Sequence, residues 1–117
     1  MKRHLLTTLF ICFYIIANAT DYYIDSQNGN DNNAGTSESA AWKTFVNVND
    51  KLFNPGDKIL LRKNGVWEGS LAPKGSGTKE NPITIGVWGE GERPRINGKG
   101  QVNATIYIRN ASYWIVQ

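Results

Sequence analysis

Tyr107 and Arg109 are the two side chains whose types and spacing best fit ligand binding. They alternate with Ile106 and Ile108 in a β-type run, so inward-facing isoleucines would place the tyrosine and the arginine outward together. A phenol ring can stack on a sugar, and a guanidinium can bind the carboxylate of that sugar. This pair is therefore the candidate substrate-binding site. The plainer interpretation, which we favour, is that such charges keep sheet edges from pairing with other sheets.

Two further cations, Arg62 and Lys63, directly follow a predicted strand and could reach a groove on one sheet face, as could Arg109. Abstraction of a proton α to a carboxylate, which is lyase chemistry, needs that carboxylate neutralised and a lysine or arginine base of lowered pKa. These residues fit that requirement by type. No pattern singles out one of them as the base, so we assign no catalytic residue.

Hydrolysis of a glycosidic bond needs other groups, namely two carboxyls about 5 to 10 Å apart across a sugar. Glu90 and Glu92 flank a turn, and Glu68 follows a strand. Nothing in the sequence brings two of these carboxyls together over a cleft. We therefore rank hydrolase chemistry below lyase chemistry for this chain.

The first 19 residues predict a secretory signal peptide. Lys2 and Arg3 give a charged start, residues 5–17 form an apolar run of 13 residues, and Ala17-Asn18-Ala19 is a small-residue cleavage site. The run is shorter than the roughly 20 residues that a membrane span needs. We expect cleavage after Ala19, a secreted or periplasmic location, and no membrane association of the mature chain.

Removal of that peptide restricts the available chemistry. Met1, His4 and Cys12 all lie in it, so the mature chain has no methionine, histidine or cysteine. This excludes Ser-His-Asp and Cys-His catalysis, an imidazole base, the usual zinc sites and disulfides. Loss of Lys2 and Arg3 lowers the basic count from 13 to 11 against 10 acidic residues, a net charge of +1. We therefore expect no nucleic-acid partner.

The loop over residues 26–36 is dense in Asn, Asp and Gly, which are oxygen-rich turn residues. Calcium prefers such oxygen ligands, but an EF-hand loop counted from Asn28 would need glycine at its sixth position and glutamate at its twelfth. Asn33 and Ser39 occupy those positions. We therefore interpret the loop as turns built by side-chain to backbone hydrogen bonds and assign no metal site.

Residues 39–53 are the one helical candidate. Ser39 can cap the start, and one apolar stripe at helical spacing follows, formed by Trp42, Phe45, Val46, Asn49 and Phe53 with Leu52 adjacent. A short amphipathic helix here would cover the open end of a stack of β coils. We predict a cap rather than a site.

A repeat of short apolar strands follows the helical candidate. Pro55-Gly56-Asp57 suits a type II turn, and the strands around Ile59, Ile83 and Ile106 are spaced by 24 and 23 residues. Residues 93–98 add another turn-bounded strand between the second and third. Such a repeat is typical of a solenoid, which needs about three repeats and two caps. The chain reaches Gln117 inside a predicted strand, so we expect an incomplete protein.

Several motifs of this chain resemble the N-terminal portion of secreted right-handed parallel β-helix proteins of the pectate-lyase-like superfamily, including bacterial alginate and chondroitin lyases. They are Gly-Asn-Asp at 29–31, Trp-Lys-Thr at 42–44, Pro-Gly-Asp at 55–57, Gly-Ser-Gly-Thr at 75–78 and Asn-Pro-Ile-Thr-Ile at 81–85. The resemblance implies an extracellular, usually acidic polysaccharide partner. It also implies that the base and the calcium-binding carboxylates of the full-length family lie on middle coils, beyond Gln117.

These observations combine into one prediction of architecture and function. We predict a mainly β chain: a signal peptide (1–19), a strand, loop and capping helix (20–53), and the first two to three coils of a right-handed parallel β-helix (54–117). It would belong to a polysaccharide lyase and be inactive alone, with no cofactor. Two alternatives stay open, a non-catalytic carbohydrate-binding or surface-adhesion β-helix and a small β-sandwich binding module.

Overall fold

The computed structural model describes residues 19–98 and 105–117, so the predicted signal peptide lies outside the described residues except for Ala19. The described chain is mainly β, as predicted. Its one α-helix, α1, spans Val46–Asp50, and a 3-10 turn spans Glu38–Ala40. No helix of the described ranges combines the length and hydropathy needed to cross a membrane. The strands are β1 Asp21–Ile24, β2 Leu52–Phe53, β3 Lys58–Arg62, β4 Val66–Glu68, β5 Lys74–Gly75, β6 Ile83–Trp88, β7 Arg95–Asn97 and β8 Trp114–Val116.

The eight strands form three parallel sheets. The largest has the order β1-β3-β6-β8, and β2-β5 and β4-β7 form two-stranded sheets. The chain visits the three sheets in one order, β2, β3, β4, and then repeats that order with β5, β6, β7. Every strand pairing in the described residues is parallel, so the alternative of a β-sandwich built from antiparallel hairpins is wrong.

The core lies between the sheets and is built from inward-facing strand positions. Ile59 of β3 aligns with Tyr22 of β1 and with Ile85 of β6, and Ile85 aligns with Val116 of β8. Ile59 and Ile85 are almost fully buried, whereas Val116 is half exposed because β8 is the edge strand. Burial of each such side chain contributes about 1.5 to 3 kcal/mol. Strand alternation therefore turns the intervening residues outward.

The turn before β3 is held by a buried carboxylate. Gly56 has φ of +86°, and the Asp57 N–H donates to the Asn54 carbonyl at 3.1 Å, which is the type II turn that the sequence predicts. Asp57 is 1% exposed. Its two carboxylate oxygens accept from the backbone N–H of Thr20 at 2.9 Å and of Asn54 at 2.8 Å. One side chain thus ties the start of the described chain to the turn.

The predicted helix over residues 39–53 is wrong in extent. Trp42 lies in a parallel bridge with Ile24, its N–H donating to the Tyr23 carbonyl at 2.9 Å, and residues 52–53 form β2. Only five residues in between are α-helical. Pairing with β1 satisfies the backbone at Trp42, so tertiary hydrogen bonds override the helical spacing. Of the apolar residues of the predicted stripe, Trp42, Phe45 and Phe53 are buried in the core, whereas Val46 and Leu52 are exposed.

The predicted repeat is wrong in its third period. Ile106 does not follow Ile59 and Ile83 in one sheet; it forms a parallel bridge with Leu71 instead. The residue that continues the row of Ile59 and Ile85 is Val116. Steps between aligned positions are therefore 26 and then 31 residues. Loops of different length join the strands, so the spacing of apolar runs does not report the register.

Gly75 permits the close pairing of β5 with β2. An added Cβ there would lie 2.3 Å from the Phe53 carbonyl oxygen, and its φ is +114°. Gly69 also has a positive φ, +102°, but an added Cβ there meets nothing within 4 Å. Both glycines therefore have a positive φ, but only at Gly75 would an added Cβ collide with neighbouring atoms.

We predict that Gly75→Ala destabilises the chain more than Gly69→Ala. Both substitutions pay about 1 to 3 kcal/mol for a side chain at positive φ. Only Gly75→Ala adds a collision with backbone, worth a further ~1 to 3 kcal/mol. Urea unfolding followed by tryptophan fluorescence measures both losses. Equal losses at the two positions would contradict the β2–β5 pairing.

Candidate functional site

The predicted pair Tyr107 and Arg109 faces outward, as strand alternation suggested. Ile106 and Ile108 are partly buried against the core, while Tyr107 is 40% exposed and Arg109 is exposed. The Tyr107 N–H donates to the Leu71 carbonyl at 2.9 Å, which anchors the segment beside Leu71. The Arg109 guanidinium carbon lies 5.7 Å from the Tyr107 ring centroid. Cation and ring thus form one surface unit, with one ring face covered by the guanidinium.

A second polar and aromatic group lies on the outer face of the four-stranded sheet. We call Tyr23, Asp25, Arg62 and Trp88 the Arg62 cluster. Arg62 Nη1 donates to Asp25 Oδ2 at 2.9 Å, and its guanidinium carbon lies 5.4 Å from the Trp88 ring centroid. The rings of Tyr23 and Trp88 meet edge to face with centroids 5.6 Å apart. Arg62 is therefore committed to an ion pair and a ring, not poised as a free base.

The electrostatics of Asp25 explain why it stays ionised in this cluster. Burial of the carboxyl raises its pKa, but hydrogen bonds from the backbone N–H of Asn28 and Gln27 and the pairing with Arg62 outweigh burial. The net result is a pKa below the usual value of 3.8. The Asp25 side chain is 4% exposed, so its charge depends on these partners.

Lys63 and the glutamates lie elsewhere. Lys63 lines a cavity of about 580 Å³ where the core opens beside β8; its floor is apolar, and Arg93 is a second cation on its wall. Among the described residues lining this cavity there is no Asp or Glu. Glu92 pairs at 3.6 Å with Arg95, and both side chains are exposed. Its lining residues Leu61, Ile85 and Ile96 belong to the core or pack against it, so the cavity continues the core.

The loop over residues 26–36 builds turns, as predicted. Asp25 Oδ1 accepts from the N–H of Gln27 and Asn28, and Asn30 Oδ1 accepts from the N–H of Asn32. Asp31 tethers the loop to the segment before α1. Burial raises the pKa of Asp31, but hydrogen bonds from the Thr44 side chain and from the Thr44 and Lys43 N–H groups outweigh it and lower the pKa. Within the described ranges no group of three or more His, Cys, Asp or Glu could hold a metal.

Sequence reasoning missed three members of the Arg62 cluster. Tyr23 and Asp25 alternate at the end of β1, and Trp88 ends β6 in register with Arg62. The alternation was visible in the sequence, but the alignment of Arg62 with Trp88 requires the step of 26 residues between β3 and β6. The predicted step of 24 places different residues side by side.

No protein family model matches this chain. It is 32% identical, over 83% of its length, to the lacto-N-biosidase of Bifidobacterium longum subsp. longum, and 39% identical, over 55% of its length, to alpha-1,3-galactosidase A of Akkermansia muciniphila. Among solved structures, the native GH136 lacto-N-biosidase of Eubacterium ramulus superposes on 62% of the chain with a TM-score of 0.54 and 37% identity. Its selenomethionine derivative superposes on 76% with a TM-score of 0.59 and 32% identity.

The matches cover only part of each relative. The chain spans 8% and 11% of the two curated enzymes and 12% and 14% of the two solved chains. All are glycoside hydrolases, so the resemblance to pectate-lyase-like polysaccharide lyases is wrong, and the lyase function predicted from it is wrong. The motifs that carried the resemblance, such as Pro-Gly-Asp at 55–57, form turns and strands. They specify local turns and strands, not the chemistry of the protein.

We predict that ionised Asp25 supplies acid-sensitive stability. Its folded pKa lies below 3.8, so it stabilises the fold above about pH 3.8 and this stability is lost as pH falls through the folded value. Asp25→Asn should cost about 2 kcal/mol at neutral pH and make the acid decline shallower. Arg62→Gln should move the decline to higher pH. Unfolding midpoints in urea between pH 2 and 7 measure both effects, and a decline unchanged in Asp25→Asn would contradict this assignment.

Proposed function

We propose that this chain forms the N-terminal cap and first coils of a right-handed parallel β-helix in an exported, glycan-active protein of the glycoside hydrolase type. The observation that carries the proposal is the 32% identity over 83% of the chain with a lacto-N-biosidase. The fold likeness to a second lacto-N-biosidase, with a TM-score of 0.59, supports it. The proposed partner is therefore a glycan, and it need not be the acidic polysaccharide that lyase chemistry would require.

The order of the strands supports the β-helix. Each of β2, β3 and β4 pairs in parallel with the strand that occupies the same place in the next turn of the chain, β5, β6 and β7. A solenoid produces this pattern because every coil returns to the position of the last one. Parallel crossovers within a sheet are right-handed in about 98% of cases, which favours the right hand.

The glycan contact that we propose for this chain is the pair Tyr107 and Arg109. The Tyr107 ring offers an apolar face for a sugar, and the Arg109 guanidinium over its other face can donate hydrogen bonds to hydroxyl or carboxylate oxygens. Glycosidic hydrolysis needs two carboxyls facing each other across a sugar. We assign no such pair here and propose that this chain binds glycan without turnover and without a metal.

We predict that the chain starting at Thr20 binds oligosaccharides that contain lacto-N-biose or α-1,3-linked galactose, the sugars in the names of its relatives. Arg109→Gln and Tyr107→Ala should each weaken binding about tenfold, because a charged hydrogen bond or a stacked ring contributes about 1 to 3 kcal/mol. Arg95→Gln is the matched control, since Arg95 is also exposed but pairs with Glu92. Isothermal titration calorimetry gives the dissociation constant of the unsubstituted chain and of the three variants.

Two further arms of the same titration, a chelator and a uronate-containing oligosaccharide, separate the parts of the proposal. Addition of a chelator should leave binding unchanged. A uronate-containing oligosaccharide binding more tightly than a neutral one would restore the acidic-glycan prediction, and Arg109→Gln would then abolish the preference. Loss of binding in Arg95→Gln but not in Arg109→Gln would overturn the assigned pair, and absence of binding to every glycan would overturn glycan contact by this chain.

A further inference from the structure

The backbone nitrogen of Thr20 lies against a buried carboxylate. Thr20 N donates to Asp57 Oδ1 at 2.9 Å, while the Thr20 carbonyl accepts from the Lys58 N–H at 2.9 Å. Thr20 is thus held on both sides, one residue before β1 begins at Asp21. Its nitrogen keeps a fixed position relative to the turn before β3.

Asp57 has backbone partners and no cation among the described residues. Its second oxygen accepts from the Asn54 N–H at 2.8 Å, and the two described ion pairs join Arg62 to Asp25 and Arg95 to Glu92. At 1% exposure, an ionised carboxylate without an opposite charge is costly, even with two hydrogen bonds. A positively charged donor at the position of the neutral Thr20 N–H would therefore stabilise Asp57.

The predicted cleavage would put such a charge in place. Hydrolysis of the Ala19–Thr20 amide adds water across the bond: Ala19 leaves as a carboxylate, and the Thr20 nitrogen becomes an ammonium after taking up the released proton. That nitrogen is already 2.9 Å from Asp57 Oδ1, the distance of a charge-assisted hydrogen bond. No strand residue is lost, because Thr20 remains beside Lys58.

We propose that Asp57 is the receptor for the new N-terminus, so that removal of the leader after Ala19 converts a neutral hydrogen bond into a buried ion pair and stabilises the processed chain. Ala19 occupies the neighbouring space in the uncleaved chain, since its Cβ lies 3.0 Å from where a Cβ on Gly56 would be. The inference rests on the export part of the proposed function and is independent of the glycan contact.

The first measurement is the N-terminus of the exported protein. The full chain is expressed with its own leader in an exporting bacterium, and intact mass with N-terminal sequencing should identify Thr20 as the first residue. A start at any other residue would overturn the proposal. Glycan binding plays no part in this measurement. A wrong N-terminus would therefore overturn this proposal without bearing on the proposed glycan contact.

The second measurement compares two purified chains that differ by one residue, one starting at Thr20 and one at Ala19. The Thr20 chain should have a folding equilibrium constant about tenfold larger, since hydrogen bonds to charged groups exceed neutral ones by about 1 kcal/mol. Asp57→Asn should remove this difference. If Asp57 only supported the turn, the substitution would lower the stability of both chains equally.

Labelling of the α-amine provides a readout that does not depend on the folding of Asp57→Asn. With an amine-reactive reagent at neutral pH, where lysines react slowly, the α-amine of the Thr20 chain should react several-fold more slowly than that of the Ala19 chain. The rates should become equal in urea. Equal rates in the folded chains, or equal stability of the two chains, would overturn the proposal.

Discussion

The parallel register of the four-stranded sheet is the constraint on which the rest of the structure depends. Backbone N–H and C=O groups of β1, β3 and β6 pair in parallel, so the chain between them must bring each strand back into register with the previous one. The buried row of Ile59 and Ile85 follows from that register. The type II turn at Asp57 sets the entry angle of β3, and its carboxylate links this turn to the start of β1.

The same register orders the outward side chains. Arg62 meets Trp88 because β3 and β6 are aligned, and Asp25 meets Arg62 because β1 ends beside β3. Tyr107 and Arg109 face outward because the flanking isoleucines pack on the core. The parallel four-stranded sheet thus presents its outward side chains in rows. Which reaction a protein of this architecture performs depends on which residues occupy those rows, so motifs that specify turns and strands do not specify chemistry.

Much of the local structure could be predicted from local patterns. Strand β6 forms around Ile83 as predicted, and the turn at Pro55-Gly56-Asp57 has the predicted type, because proline and glycine restrict φ and apolar runs favour strands. The prediction of a helix over residues 39–53 is wrong at Trp42, which pairs with β1. The prediction of a third repeat is wrong at Ile106, which forms a parallel bridge with Leu71. Both failures involve partners distant in sequence, which propensity and spacing do not report.

The sequence by itself determined the strand and turn segments, the outward alternation of Tyr107 and Arg109, and the lack of histidine and cysteine after Ala19, because these depend on residue type and on neighbours a few positions away. Tertiary structure alone decided which strands are adjacent, that Arg62 is held by Asp25, and that Thr20 lies beside Asp57. These pairings join residues 37 positions apart in the chain. Loops of unequal length set such distances, and only the parallel pairing of each strand with the previous one selects the partner.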